Sequence, residues 1–402
     1  MASADYETLG RLPIRTIRKA LFNCGYGFLN VLEFFCLIAR TMNVLFYTDT
    51  PGFGGTEKHM ITLAKTLSKK GIRVTLACGS YSGILKHSET LKSVFSEILV
   101  IPSFGKHDPR HFFGLKRILK QHSFDLVHLH LWNPASCRYA FLALRNSKIP
   151  IVVTEHDYFE LSSFKRRYQS WCLQQVSRII LLNSAQLHAF QRHFPNYASQ
   201  SELVFNGIDP TPFIDVQPAQ DSFFKKENTV ITCIAEMHER KGHAYLIEAY
   251  KNLKVRFPNL HLCLVSDGPN RQGLEKQAMG TPDIHFLGWR DDISSILKAS
   301  QILILPSLRE SFGLVLIEAM LSHVPVIASS TDGPSEIIQH HETGLLCPIA
   351  DAKGLESTIE ELLSNPEFSN RMRDAAYQMA SKKFTDEVMA DHVQNLYEKI
   401  IK

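Results

Sequence analysis

The hydrophobic pattern of this chain changes period repeatedly. Short apolar runs alternate with longer segments in which apolar residues recur every third or fourth position. The first pair sets the form. "NVLFYTD" (43–49) is almost continuously apolar, and in "TEKHMITLAKTLSKKG" (56–71) Met60, Leu63, Ala64 and Leu67 fall at helical spacing before Gly71 supplies a stop. "IRVTLAC" resumes the strand pattern, followed by "EILVIP", "DLVHLHL", "IPIVVTE", "SRIILLN" and "ELVFNG". Strands that are apolar throughout, separated by helical stretches, predict a parallel sheet covered on both faces.

"NGIDPTPFIDVQPAQD" (206–221) breaks the alternation with three prolines and reads as a linker. The pattern restarts with "NTVITCIA", a helix from His243, "LHLCLVSD", "IHFLG", "QILILPS", "VPVIAS" and "GLLCP", and the remainder is helical. The pattern predicts two doubly wound, Rossmann-like α/β domains, 42–210 and 211–385, facing across a cleft. A last helix, 386–402, is placed to pack back on the first domain. In open α/β sheets ligands bind beyond the carboxyl ends of the strands, so the loops that follow them are the candidate sites.

A length of 402 residues suits about two domains. With 45% apolar and 21% charged residues the chain fits a globular protein with sizeable cores, and a net charge of +4 is too small for nucleic-acid binding. Eight cysteines are scattered with no C-x-x-C pair. They read as reduced core residues of a cytosolic protein, not as a disulfide or zinc framework. Residues 1–41 place Arg11, Arg15, Arg18 and Lys19 before an apolar stretch broken by Asn23, Asn30 and Glu33. That disfavours a spanning helix, which needs about 20 mostly apolar residues. It leaves two readings: an interfacial amphipathic helix, or a working chain that begins at Met42.

Three loops carry candidate chemistry. "DTPGFGGTEKH" offers glycines and a helix start suited to phosphate, with a plain strand-to-helix turn as the alternative. A dinucleotide fingerprint fails there, because the third glycine position holds Glu57 and the next strand ends without an acid. "AEMHERKGH" sets Arg240 and Lys241 beside Gly242 at a helix start, as a diphosphate clamp or a solvated basic pair. In "SLRESFGLVLIEAM", Glu310 falls in a loop and Glu318 about two turns down a helix that starts near Phe312 or Gly313. A carboxylate among Leu314, Val315, Leu316 and Ile317 is costly unless strongly hydrogen-bonded. Vicinal ribose hydroxyls or a structural partner would both answer it. "TEHD" ends a strand with His156 between two acids, while His128 and His130 read as core or supporting residues. With no H-E-x-x-H, D-x-D or G-x-S-x-G signature, no metal site or serine elbow is expected.

Taken together, "GFGGTEKH", "TEHD", "VFNGID", "RKGH", "VSDGPNR", "FLGWRDD", "PSLRESFGLVLIEAM" and "VPVIASSTDGPSEII" lie in order across 42–385. The set resembles the retaining glycosyltransferases of family 4, which use the GT-B fold. The resemblance implies a nucleotide diphosphate sugar as donor, UDP-linked by preference, and a hexosyl or N-acetylhexosaminyl group. It also implies a glycan or lipid-linked glycan acceptor, as in bacterial polysaccharide or lipopolysaccharide synthesis, and no metal or other cofactor. By the same resemblance Gly54 and Gly55 close over the diphosphate, and Arg240 and Lys241 neutralise it. Glu310 and His156 attend the donor sugar, Ser311, Phe312, Gly313 and Leu314 belong to the donor loop, and Glu318 holds the ribose. Ala235-Glu236 stands where the family has Gly-Arg, which shifts load onto Arg240, and "VSDGP" replaces the usual glycine-rich loop.

Two other classes compete: a sugar-nucleotide epimerase, and a non-catalytic partner subunit of a transferase. "FGKHDPRHFFGLKRILKQH" (104–122) mixes Lys106, Arg110, Lys116, Arg117 and Lys120 with Phe112 and Phe113. It reads as a solvated helix face or as a peripheral contact with the anionic inner surface of the cytoplasmic membrane.

Overall fold

The alternating segments form two separate parallel sheets in a computed structural model that describes residues 41–157 and 162–401. The first sheet comprises β1 (Asn43–Thr48), β2 (Arg73–Gly79), β3 (Glu97–Ile101), β4 (Leu126–Leu131), β5 (Ile151–Glu155), β6 (Arg178–Leu181) and β7 (Ser201–Leu203). The second comprises β8 (Thr229–Ile234), β9 (Leu260–Val265), β10 (Ile284–Gly288), β11 (Ile302–Leu305), β12 (Val326–Ser329) and β13 (Leu345–Cys347). Their orders are β3-β2-β1-β4-β5-β6-β7 and β10-β9-β8-β11-β12-β13. Every apolar run read as a strand is one.

The first domain's helices are α1 (Gly55–Lys69), α2 (Ser88–Val94), α3 (Arg110–Gln121), α4 (Arg138–Leu144), α5 (Ser163–Leu173) and α6 (Ser184–His193). Next come α7 (His243–Arg256), α8 (Arg271–Ala278), α9 (Ile293–Ala299), α10 (Leu314–Leu321) and α11 (Asp332–Ile337). The chain closes with α12 (Ala352–Ser364), α13 (Pro366–Lys383) and α14 (Asp386–Ile401).

The reason the strands lack a polar face is visible in β1. Successive side chains point to opposite faces, so Val44 and Phe46 enter one core layer while Leu45 and Tyr47 enter the other. Met60, Leu63, Ala64 and Leu67 of α1 are fully buried against the first layer. Each such side chain stabilises the fold by about 1.5–3 kcal/mol for the larger residues. The described cysteines are buried and unpaired.

Strand order reverses at β1/β4 and at β8/β11, which opens a crevice at the carboxyl end of each sheet. The chain crosses between domains twice, and the crossings lie side by side. Ile208 N–H donates to the Phe384 carbonyl at 2.9 Å, and Asp386 N–H donates to the Ile208 carbonyl at 3.0 Å. Gly207 is needed there, because a Cβ would stand 2.2 Å from the Thr385 carbonyl oxygen. After the second crossing α14 lies along α1, where Thr66 Oγ1 donates to Asp386 Oδ2 at 2.6 Å and Lys70 pairs with Glu387 and Asp391. Among the described residues no helix is long and apolar enough to cross a membrane. The two readings of the N-terminal stretch fall on residues 1–40, outside the described residues.

Candidate active site

The second domain's contribution begins at Gly313, whose φ of +96° is left-handed and suits glycine. That residue stops the loop and starts α10 at Leu314, so Glu318 stands about one turn into the helix, not two. Leu316, Ile317, Ala319, Met320 and Leu321 are buried. Glu318 is half-buried and turns, with Leu314, into a cavity of about 320 Å³. The opposite wall is Phe53, Lys58, His59 and His87 of the first domain, with Ile208 of the crossing between them. No hydrogen bond from the described residues reaches the Glu318 carboxylate. Burial pushes its pKa up, and Lys58 across the cavity opposes that shift.

The glycine loop forms the cavity's rim. Gly54 N–H donates to Glu57 Oε2 at 2.6 Å, which fixes the turn into α1, and a Cβ on Gly55 would meet nothing within 4 Å. Phe53 stacks on His87 with ring centroids 3.8 Å apart.

The basic turn is clasped to the glutamate loop by backbone. Gly242 has φ +69° and lies so close to β11 that a Cβ would stand 1.9 Å from the Pro306 carbonyl oxygen. Leu308 N–H donates to the Arg240 carbonyl at 2.8 Å. This juxtaposition brings Lys241 Nζ to 2.5 Å from Glu310 Oε2, with the two side chains only 13% and 12% exposed. Arg240 is exposed.

Asp157 ties that loop to the first domain. Its carboxylate accepts from Arg309 Nη2 at 2.7 Å and from Ser311 Oγ at 2.6 Å. Those donors flank Glu310 and Asp157 follows His156, so the clasp links the two loops that carry these residues. Asn183 Nδ2 donates to the Ser311 carbonyl at 2.5 Å, and Ser184 binds Glu336 through N–H and Oγ. The Phe312 side chain instead joins Phe205 and Phe384 in the core beside the crossings.

His156 belongs to a buried row of imidazoles. His130 Nδ1 lies 3.3 Å from its Nε2, His59 packs edge-on at 4.8 Å, and His128 stacks on His130 at 4.1 Å. His59 Nδ1 donates to Asn206 Oδ1 at 2.7 Å, and His128 bridges Tyr397 and Thr154. Burial holds all four neutral, pushing His59 down to about 4. Glu155 is buried with both oxygens unpartnered, and burial together with Asp157 raises its pKa, so it sits as a neutral acid.

Among the described residues two groups could hold a cation: His59, His130 and His156, with ligand atoms within 4.8 Å of one another, and His261, Asp283 and His285 at the outer sheet edge. Lys254 already occupies Asp283 at 2.5 Å. Neither group has a sequence signature, since its members come from different elements. The sequence also gave no weight to Lys58, His59 or the clasping role of Asp157, although all three lie inside the quoted loops. On α3, Lys116, Arg117 and Lys120 are exposed, Phe113 is 67% exposed and nearby Phe104 87%.

Residues 53–211 match the model of Glycosyltransferase Family 4, and residues 217–379 match that of Glycosyl transferases group 1. The phosphatidyl-myo-inositol mannosyltransferase of Mycolicibacterium smegmatis is 25% identical over 367 residues, 88% of this chain and 91% of that protein. The N-acetyl-alpha-D-glucosaminyl L-malate synthase of Bacillus anthracis is 25% identical over 382 residues, covering 88% and 96%. The crystal structure of Anabaena Alr3699/HepE in complex with UDP-glucose superposes with a TM-score of 0.74 at 21% identity, covering 89% of this chain and all of that one.

Proposed function

Because the chain belongs to the family 4 glycosyltransferases of the GT-B fold and takes a nucleotide sugar as donor, we propose retaining transfer from a UDP-sugar. The acceptor is a hydroxyl of a glycan or lipid-linked glycan, and the group moved is a hexosyl or N-acetylhexosaminyl residue. The observation that carries this reading is Glu318, a carboxylate in an apolar helix turned into a cavity between the domains. A ribose supplies two vicinal hydroxyl donors to that acceptor and removes the cost of leaving it unbonded.

From the ribose the diphosphate runs under the glycine loop, where Gly55 leaves open space. Lys241 and Arg240 stabilise the charge that develops on the departing β-phosphate as the sugar–oxygen bond breaks. Lys241 also holds Glu310, which positions the donor sugar, and His156 meets the sugar from the first domain. The acceptor hydroxyl attacks on the face the diphosphate leaves and its proton passes to a departing phosphate oxygen, so the anomeric configuration is kept. The Asp157 clasp keeps the cleft shut against water during transfer. Two cations in place of a metal imply that turnover persists in excess EDTA.

The basic, aromatic face of α3 supports peripheral contact with anionic lipid, each basic residue near the surface adding roughly 1 kcal/mol. The deciding experiment is a thermal-shift panel of nucleotide diphosphate sugars. Ligand at 100 times its dissociation constant adds about 2.7 kcal/mol of stability. UDP-sugars are expected to stabilise the protein most; stabilisation by none of the panel overturns the reading.

A further inference from the structure

On the first domain's side of the cleft, three elements bring three histidines together: His59 on α1, His130 near the end of β4 and His156 just beyond β5. Their ligand nitrogens all lie within 4.8 Å of one another. Ring centroids are 4.8 Å apart for His59 and His156, 5.5 Å for His130 and His156, and 5.7 Å for His59 and His130. Imidazoles bound end-on to one tetrahedral zinc ion at about 2.0–2.1 Å place their centroids about 5 Å apart. The 3.3 Å between His130 Nδ1 and His156 Nε2 is long for a hydrogen bond. It matches the spacing of two nitrogens sharing a tetrahedral centre with bonds of about 2.0–2.1 Å.

His59 provides the independent sign. Asn206 Oδ1 accepts the Nδ1 proton at 2.7 Å, so the free lone pair is on Nε2, which is buried without a partner. An imidazole anchored through one nitrogen by an oxygen, with the other nitrogen bare, is the usual state of a metal-ligating histidine. His59 lines the cavity between the domains, which gives an ion its path.

We propose that His59, His130 and His156 form a site for one divalent cation of the zinc class, entered from the cavity. Three imidazoles and no carboxylate favour zinc over magnesium or calcium, which prefer oxygen ligands. An ion there takes the nitrogen of His156, so occupancy inhibits sugar transfer. This consequence rests on the role proposed for His156, whereas binding of the ion does not.

The test is titration of the chelator-stripped full chain with zinc chloride by calorimetry, and with cobalt chloride by visible absorption. One ion per chain is expected, with a tetrahedral cobalt spectrum and no competition from magnesium. His59→Gln and His130→Gln should each weaken zinc binding by roughly 100-fold or more. Asn206→Ala, which leaves all three ligands in place, should weaken it 10–100-fold, the usual effect of losing a histidine's supporting partner. Circular dichroism checks each variant's fold, and Asn206→Ala decides if the histidine variants fail to fold. No stoichiometric uptake by the wild type, or equal affinity in properly folded variants, overturns the site. Uptake that follows this variant pattern without inhibiting transfer keeps the site and overturns the role of His156.

Discussion

The Lys241 ammonium lies 2.5 Å from the Glu310 carboxylate, across 69 positions of sequence, with both side chains largely shielded from water. The basic turn and the glutamate loop thus act as one unit. Lys241→Ala is expected to lower kcat by roughly 10²–10³, the scale for losing one stabiliser of developing charge. Turnover at the wild-type rate in a properly folded variant would dismiss Lys241 from the leaving-group site.

Glu318 is tested by a double cycle. Glu318→Gln keeps shape but loses charge assistance, so UDP affinity should fall by roughly 1–3 kcal/mol, the range for hydrogen bonds to a charged group. A 2′,3′-dideoxy nucleotide should bind the wild type weakly and lose little more in the variant. Strictly additive losses would show that the carboxylate does not touch the ribose.

Asp157 couples the domains through Arg309 and Ser311. Arg309 is 55% exposed, so the ion pair itself contributes little. The Ser311 bond is worth about 1 kcal/mol, and its loss in Asp157→Ala should raise the donor KM about 5-fold. X-ray scattering should report a larger radius for the unliganded variant. Unchanged kinetics and an unchanged radius would remove the clasp from the account of closure.

Metal independence of turnover is read by assaying transfer after dialysis against EDTA. Activity should be retained. Its loss, with recovery on adding magnesium or manganese, would falsify the assignment of charge neutralisation to Arg240 and Lys241.

His243, at the start of α7, is buried, and desolvation reinforced by Lys241 pushes its pKa down to about 4. The unfolded chain binds this proton near pH 6.5 and the folded chain only near 4. The associated stability is therefore fully present above about pH 6.5 and is lost as pH falls toward 4. The loss is roughly 3 kcal/mol at most. Urea denaturation of wild type and His243→Gln at pH 7 and pH 4.5 isolates it, because other titrating groups cancel. The wild type should lose more stability on acidification; parallel losses would contradict a neutral buried His243.

The sequence by itself determined the thirteen strands of the described residues, their parallel pairing and their division into two sheets. Those features follow from the period of apolar residues and from turn residues, which act over a few positions and are written where they act. It also marked the Glu310 loop and Gly242, since a left-handed turn beside a strand end needs glycine locally. It started α10 one or two residues early, because Gly313 lies within the apolar run while its left-handed backbone breaks the helix. Only the tertiary structure decided what Glu318 faces, that Lys241 reaches Glu310, that Asp157 clasps both sides of Glu310, and that His59 meets His130 and His156. Each of those contacts joins elements far apart in the chain. The side chains that make them are fixed by how whole sheets and helices pack, and no local spacing encodes that.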